Sequence, residues 1–168
     1  MALKRSSEVI AVGISVAESA ANTFTEGQVD LQLNPLDNEV FVVSAIDLDP
    51  LAPDNVAGAN TQTFVSLTTT SQTSVANLNR AACLANATLD IRQDAGSITG
   101  VPFTRTSLDS PPAALDYIGI ISTNDFYVQI KGTGNTAAKS VFGKLWGYRA
   151  KADAATYAAL VQSEVLSS

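Results

Sequence analysis

From residue 28 to residue 33 the chain reads Gln-Val-Asp-Leu-Gln-Leu, polar and apolar in strict alternation. Successive side chains of an extended strand point to opposite faces, so this run forms a strand with one wet face and cannot present a helical stripe. The turn set Asn34-Pro35-Leu36-Asp37-Asn38 then stops it. Glu39 to Asp49 follows, almost continuously apolar at its centre and rich in valine, as expected of a central strand covered on both faces.

The same signals recur along the chain. Glu8 to Val16 is a strand with Ile10, Val12, Ile14 and Val16 on one face, expected at a sheet edge or as a strand that pairs late. Pro50, Pro53, Asp54, Asn55, Gly58 and Asn60 make the next dozen residues a loop, and Thr61 to Thr70 returns to strand. Val75, Leu78, Ala82 and Ala85 fall on one helical face, which predicts a short connector helix over Thr73 to Ala85. Short strands are expected at Asn86 to Arg92 and Val101 to Thr106, with a break at Ser110-Pro111-Pro112.

Asp116 to Thr123, Asp125 to Gly132 and Lys139 to Ala150 read as strands, hairpin partners with Gly132-Thr133-Gly134-Asn135 as the turn between the last two. The end of the sequence changes period. Asp153 is a plausible N-cap, and Ala154, Tyr157, Leu160, Val161 and Val165 form a helical stripe.

The expected fold is therefore all-β, an antiparallel jelly-roll or β-sandwich barrel with a short connector helix and a C-terminal helix. A chain of 168 residues reads as a single domain. Within it, 1–7 is an N-terminal arm, 8–150 the barrel and 153–166 the terminal helix.

Composition agrees, because charged residues are only 15% and Ser, Thr and Asn fill the polar positions, a sheet-like surface. The start, Met-Ala-Leu-Lys-Arg, is too weakly followed by apolar residues for a signal peptide, and no run approaches the ~20 residues that span a bilayer. Net charge is −6, so strong nucleic-acid binding by the whole chain is not expected.

Histidine is absent, which removes the commonest general base and every Ser/His or Cys/His nucleophile arrangement. No enzyme and no cofactor are expected. Cys83 stands alone, reads as a small buried hydrophobe, and permits no intrachain disulfide. Asp47 and Asp49, considered as a glycosidase pair, share a strand face; with Asp54 and Asn55 they are also oxygen ligands of the kind Ca²⁺ takes, in an arrangement that is not an EF-hand loop.

Charge is segregated along the sequence. Ser6 to Asn79 holds nine acidic residues and no basic one, while Phe126 to Ala152 holds five basic residues and no acidic one. One reading is pairing between neighbouring strands of one fold. The other makes Lys131, Lys139, Lys144, Arg149 and Lys151 contacts to Asp47, Asp49 and Asp54 of another copy, in a head-to-tail assembly. A third sets the basic band, with Trp146 and Tyr148, against a nucleic acid inside a shell.

The strand density of Glu39 to Thr70, the runs Tyr117-Ile118-Gly119-Ile120-Ile121 and Phe126-Tyr127-Val128-Gln129-Ile130, and the abundance of Ala, Ser, Thr and Asn resemble the single jelly-roll coat proteins of icosahedral viruses. The resemblance covers 24–150. It implies a capsid subunit located in the virion, partnered by itself and in some shells by a second coat subunit, with Met1 to Ser7 and Asp153 to Ser168 reaching to neighbours. The chain departs from many small coats in lacking an arginine-rich arm, which fits a shell over a membrane or one filled by a motor. The rival expectation is a carbohydrate-binding or adhesive β-sandwich, with Trp146 and Tyr148 on one strand face as its platform.

Overall fold

A computed structural model describes residues 3–94, 96, 99–106 and 115–167. Among them are ten strands: β1 (Leu3–Arg5), β2 (Ile10–Ala17), β3 (Thr25–Asp30), β4 (Glu39–Pro50), β5 (Thr61–Thr68), β6 (Cys83–Arg92), β7 (Val101–Thr106), β8 (Gly119–Ile121), β9 (Asp125–Thr133) and β10 (Ser140–Ala152). A single 3-10 turn, Pro35–Asp37, and one helix, α1 (Ala154–Leu166), complete them.

With β1 and β7 set aside, the other strands pair in a nested order. The first joins the last (β2 with β10), then β3 joins β9, β4 joins β8 and β5 joins β6, all antiparallel. The ladders β10–β4 and β9–β5 link these pairs into two sheets, with β2, β10, β4 and β8 in one and β3, β9, β5, β6 and β7 in the other. That winding is a jelly roll. Here the two sheets are called A and B, in that order.

Alternation explains the packing. Phe41, Val43 and Ile46 of β4 face Val65, Phe126 and Ile130 of sheet B in a core from which water is excluded. The near-continuous apolar run of β4 has a second cause: Val40 and Val42 point outward and are covered by Tyr157 and Leu160 of α1. The β4–β10 register shifts at Trp146/Gly147. A Cβ on Gly147 would collide with the Val42 carbonyl and the Phe41 ring, so only glycine lets the strands approach there.

Helix α1 begins where Asp153 accepts a hydrogen bond from Thr156 N at 2.7 Å. Its docked face is Tyr157, Leu160, Val161 and Glu164, whereas Ala154 and Val165 of the expected stripe are exposed. Glu164 is the buried anchor, accepting from Ser122 N at 2.7 Å, Ser122 Oγ at 2.6 Å, Thr123 N at 3.3 Å and the Thr123 hydroxyl. Residues 3–5 of the arm and the terminal helix thus both lie on this chain's own sheet A, with β1 paired to Ala150, Lys151 and Ala152.

Four expectations are corrected. The connector helix over Thr73 to Ala85 does not form: 69–82 is an irregular segment laid over the outer face of sheet B, and β6 starts at Cys83. Asn77 and Asn79 favour turns over helix, Leu78 is 53% exposed, and pairing of Cys83 and Ala85 with Thr68 and Leu67 decides the backbone. The runs at Asp116 to Thr123, Asp125 to Gly132 and Lys139 to Ala150 are not hairpin partners, because β8 and β10 lie in sheet A and β9 in sheet B. The strand at 116–123 shrinks to Gly119–Ile121. Finally, β3 ends at Asp30; Gln32, at φ 52°, breaks the ladder, yet Leu31 and Leu33 remain buried and the alternation persists. The Ser110-Pro111-Pro112 break lies outside the described residues.

One core position is mismatched. Thr63 faces the interior at 0% exposure and its hydroxyl has no hydrogen-bond partner. Thr63→Val removes an unsatisfied polar group at nearly constant volume and should raise the unfolding free energy by about 1 kcal/mol in urea titrations. Glu164→Ala leaves the Ser122 and Thr123 amides without their acceptor and should cost about 2–3 kcal/mol, with faster amide exchange across α1.

Candidate assembly surface

The connections β2–β3, β4–β5, β6–β7 and β9–β10 gather at one end of the barrel, tied by side chains distant in sequence. Glu18, 5% exposed, accepts from Gly132 N at 2.6 Å and Lys139 N at 2.8 Å. Asn22 and Asn135 exchange bonds through Asn22 Nδ2 to Asn135 O and Asn135 N to Asn22 Oδ1, at 2.9 and 2.8 Å. Asp54 N donates to Asn135 Oδ1, and Gln93 joins Asn55, Gly58 and Asn60 to the same end.

Asp54 is the electrostatic centre of this cluster. Its carboxylate accepts from Lys139 Nζ at 2.6 Å, Thr136 Oγ1 at 2.9 Å, Thr136 N at 3.0 Å and Ala137 N at 3.1 Å. The Lys139 ammonium, helped by Thr136, holds the carboxyl down at about 2.

The basic band is largely consumed within the chain. Lys139 pairs with Asp54, Arg149 with Glu39 at 2.6 Å and Lys151 with Asp37 at 3.6 Å. Arg149 also donates to Leu31 O and Gln32 O. Lys144 stands directly opposite Asp47 and Phe142 opposite Asp49, because β10 runs antiparallel beside β4. The two charged segments are thus neighbours in sheet A. Only Lys131 lies elsewhere, exposed on the outer face of sheet B beside Phe64.

Asp47 and Asp49 lie on the outer face of sheet A while Asp54 belongs to the loop cluster, so these groups are not brought together. Among the described residues no three or more His, Cys, Asp or Glu side chains gather as a metal-binding set. Trp146 and Tyr148 also point outward from sheet A, but Tyr148 is covered by the Arg5 guanidinium, 4.6 Å from the ring centroid. Phe142, 45% exposed, extends the row instead. Cys83 is buried and desolvation pushes its thiol up to about 11, leaving it unreactive.

Glu18, Asn22, Asn135 and Glu164 were not legible as functional positions, since each finds its partners across the fold. No helix among the described residues is long and apolar enough to cross a membrane.

The Asp54 carboxyl is depressed on folding, so its contribution is complete above about pH 4 and is lost as pH falls through about 2. Asp54→Asn lacks that contribution throughout. The gap in urea midpoint between wild type and variant should be constant from pH 7 to 5 and close between pH 4 and 2. Compared with protein-family models, curated proteins and solved structures, the chain finds no match, and its functional reading rests on this geometry.

Proposed function

We propose that this chain is a self-assembling structural protein, the coat subunit of a virion shell, working with copies of itself and without catalysis. The observation that carries the reading is the nested jelly roll with a filled interior. Jelly rolls serve as shell subunits, lectins and cupins. A cupin-like site needs polar ligands inside the barrel, and this interior is packed with Phe41, Ile46, Leu67, Phe126 and Ile130. What remains for function is the outside, where the loops of one end are fixed by Asp54, Glu18 and Asn135 and hold the surface in one shape.

The second reading, a carbohydrate-binding or adhesive module, is favoured by Phe142 and Trp146, which point outward from β10 near Asp47 and Asp49. Aromatic faces beside carboxylates suit a sugar ring.

Light scattering after size exclusion, with electron microscopy of the concentrated protein, separates the two. A coat subunit should give large, regular, salt-sensitive particles. A protein that stays monomeric at every concentration, and binds glycans in a manner lost in Trp146→Ala, overturns the shell reading.

A further inference from the structure

A strand at the edge of a sheet leaves a row of N–H and C=O groups without ladder partners, and folded proteins close such edges with charge, proline or brevity. Among the described strands, four of the five edges follow that rule. β1 and β8 are three residues long, with Lys4 and Arg5 in the first. β3 carries Glu26 and Asp30, and β7 has Pro102 and Arg105. β2 has none of these devices. It runs eight residues, Ile10–Ala17, without a charge, a proline or a bulge against β10. Half of those residues are Ile or Val, which suit an extended ladder.

The bonding pattern fixes which groups are free. Glu18 N donates to Lys139 O, whereas Ser140, which stands opposite Ala17, accepts from Leu51 N on its other side. Residues that bond a neighbouring antiparallel strand alternate with residues that face away from it. Ile10, Val12, Ile14 and Val16 therefore bond β10, and Ala11, Gly13, Ser15 and Ala17 turn their backbone groups to the open side. These four are exposed, and among the described residues no other strand or side chain meets their backbone. A Cβ added to Gly13 would meet nothing within 4 Å. Val9 and Ile10, 54% and 37% exposed, stand at the same edge, so a strand laid along β2 removes apolar surface from water as well.

We infer that β2 pairs antiparallel with β2 of a second copy, about a two-fold axis normal to sheet A and through the backbone groups of Ala11, Gly13 and Ser15, so that one sheet runs through both molecules. The strand is its own complement. Under that axis N–H meets C=O, and Val12 and Ile14 on the inner face fall beside the same apolar residues of the copy. The seam holds no charge, so two chains of net charge −6 meet there without opposed carboxylates. The flanking ones are engaged already, Glu8 with Arg5 at 3.4 Å and the buried Glu18 with Gly132 N and Lys139 N. No other described edge offers this match, because β1, β3, β7 and β8 are closed. The contact is isologous and ends at a dimer. It deepens the assembly reading and rests on it, the dimer being the unit from which the shell is built. One strand pair is small beside the ~1,200–2,000 Å² of stable complexes, so the free dimer forms only at high concentration.

The test reads amide exchange residue by residue along β2, with light scattering, on the full chain over a concentration series. In dilute protein the amides of Ala11, Gly13 and Ser15 should exchange quickly and those of Val12, Ile14 and Val16 slowly. As mass doubles, the first set should slow at least tenfold. Ala11→Lys/Ser15→Lys puts cations on both sides of the seam and should stay at single-chain mass with the alternation kept. An unchanged melting temperature separates lost pairing from lost folding, and should the double variant melt early, Ser15→Lys carries the same comparison.

Wild-type particles in which Ala11, Gly13 and Ser15 still exchange quickly overturn this contact and leave the shell reading intact. Dimers that protect these amides and never grow into particles keep the contact and remove the shell reading. A wild type that stays at single-chain mass at every concentration removes both. Slowing at these amides on addition of an alternating Thr-Val peptide, in a protein that stays at single-chain mass, reassigns the edge to a foreign strand.

Discussion

Sheet A depends on β10. Along one side it pairs with eleven residues of β4, and along the other with β2 and then β1. Without it, β2 and β1 have no partner and β4 keeps only the three-residue β8. The strand that organises the sheet is therefore the last to be reached along the chain. Joining it to β2 closes a loop spanning most of the sequence, a cost in chain entropy that must be met before its contacts stabilise anything. The side chains of 139–151 act at the same juncture: Lys139 clamps Asp54, Arg149 clamps Glu39 and two carbonyls, and Lys151 reaches Asp37.

Along the sequence the acidic stretch 6–79 and the basic stretch 126–152 look like a code between molecules. In the fold, β4 and β10 are antiparallel neighbours, so much of that charge meets within the chain, with Lys144 opposite Asp47 in the ladder and Arg149 ion-paired to Glu39. Buried or half-buried members such as Lys139, with a 10% exposed side chain, need their carboxylates for solvation as much as for attraction.

Elements were legible where their signal is local. The apolar run of β4, the strand Val101–Thr106 and the terminal helix each declare themselves within a dozen residues. Partnership is not local. Nothing near Asp125 says that it joins β3 and β5 rather than its sequence neighbours, which is why the expected hairpins are absent. The stripe Val75, Leu78, Ala82, Ala85 satisfied helical spacing with too few residues to outweigh two asparagines and a waiting strand. Likewise Glu164 sits where the helix stripe predicts an apolar residue, and only the Ser122 and Thr123 donors explain a carboxylate there. Of the interface residues read from the sequence, Lys131 alone joins the exposed sheet B face.

The polar networks and the outer surface belong to one design. Loops connecting two sheets are ordinarily the most mobile part of a sandwich. Here Glu18, Asp54, Asn135 and Gln93 tie all four loops of one end to each other and to the strands, each through bonds to backbone amides that fix position as well as attract. The terminal helix, pinned by Glu164, stiffens the outer side of sheet A in the same way. A subunit that makes the same contact many times gains affinity when its contact groups are already in place, because little freedom is lost on each association. In the proposed shell, weak, salt-screened surface contacts then suffice individually, with the rigid barrel carrying their geometry from one side of the molecule to the other.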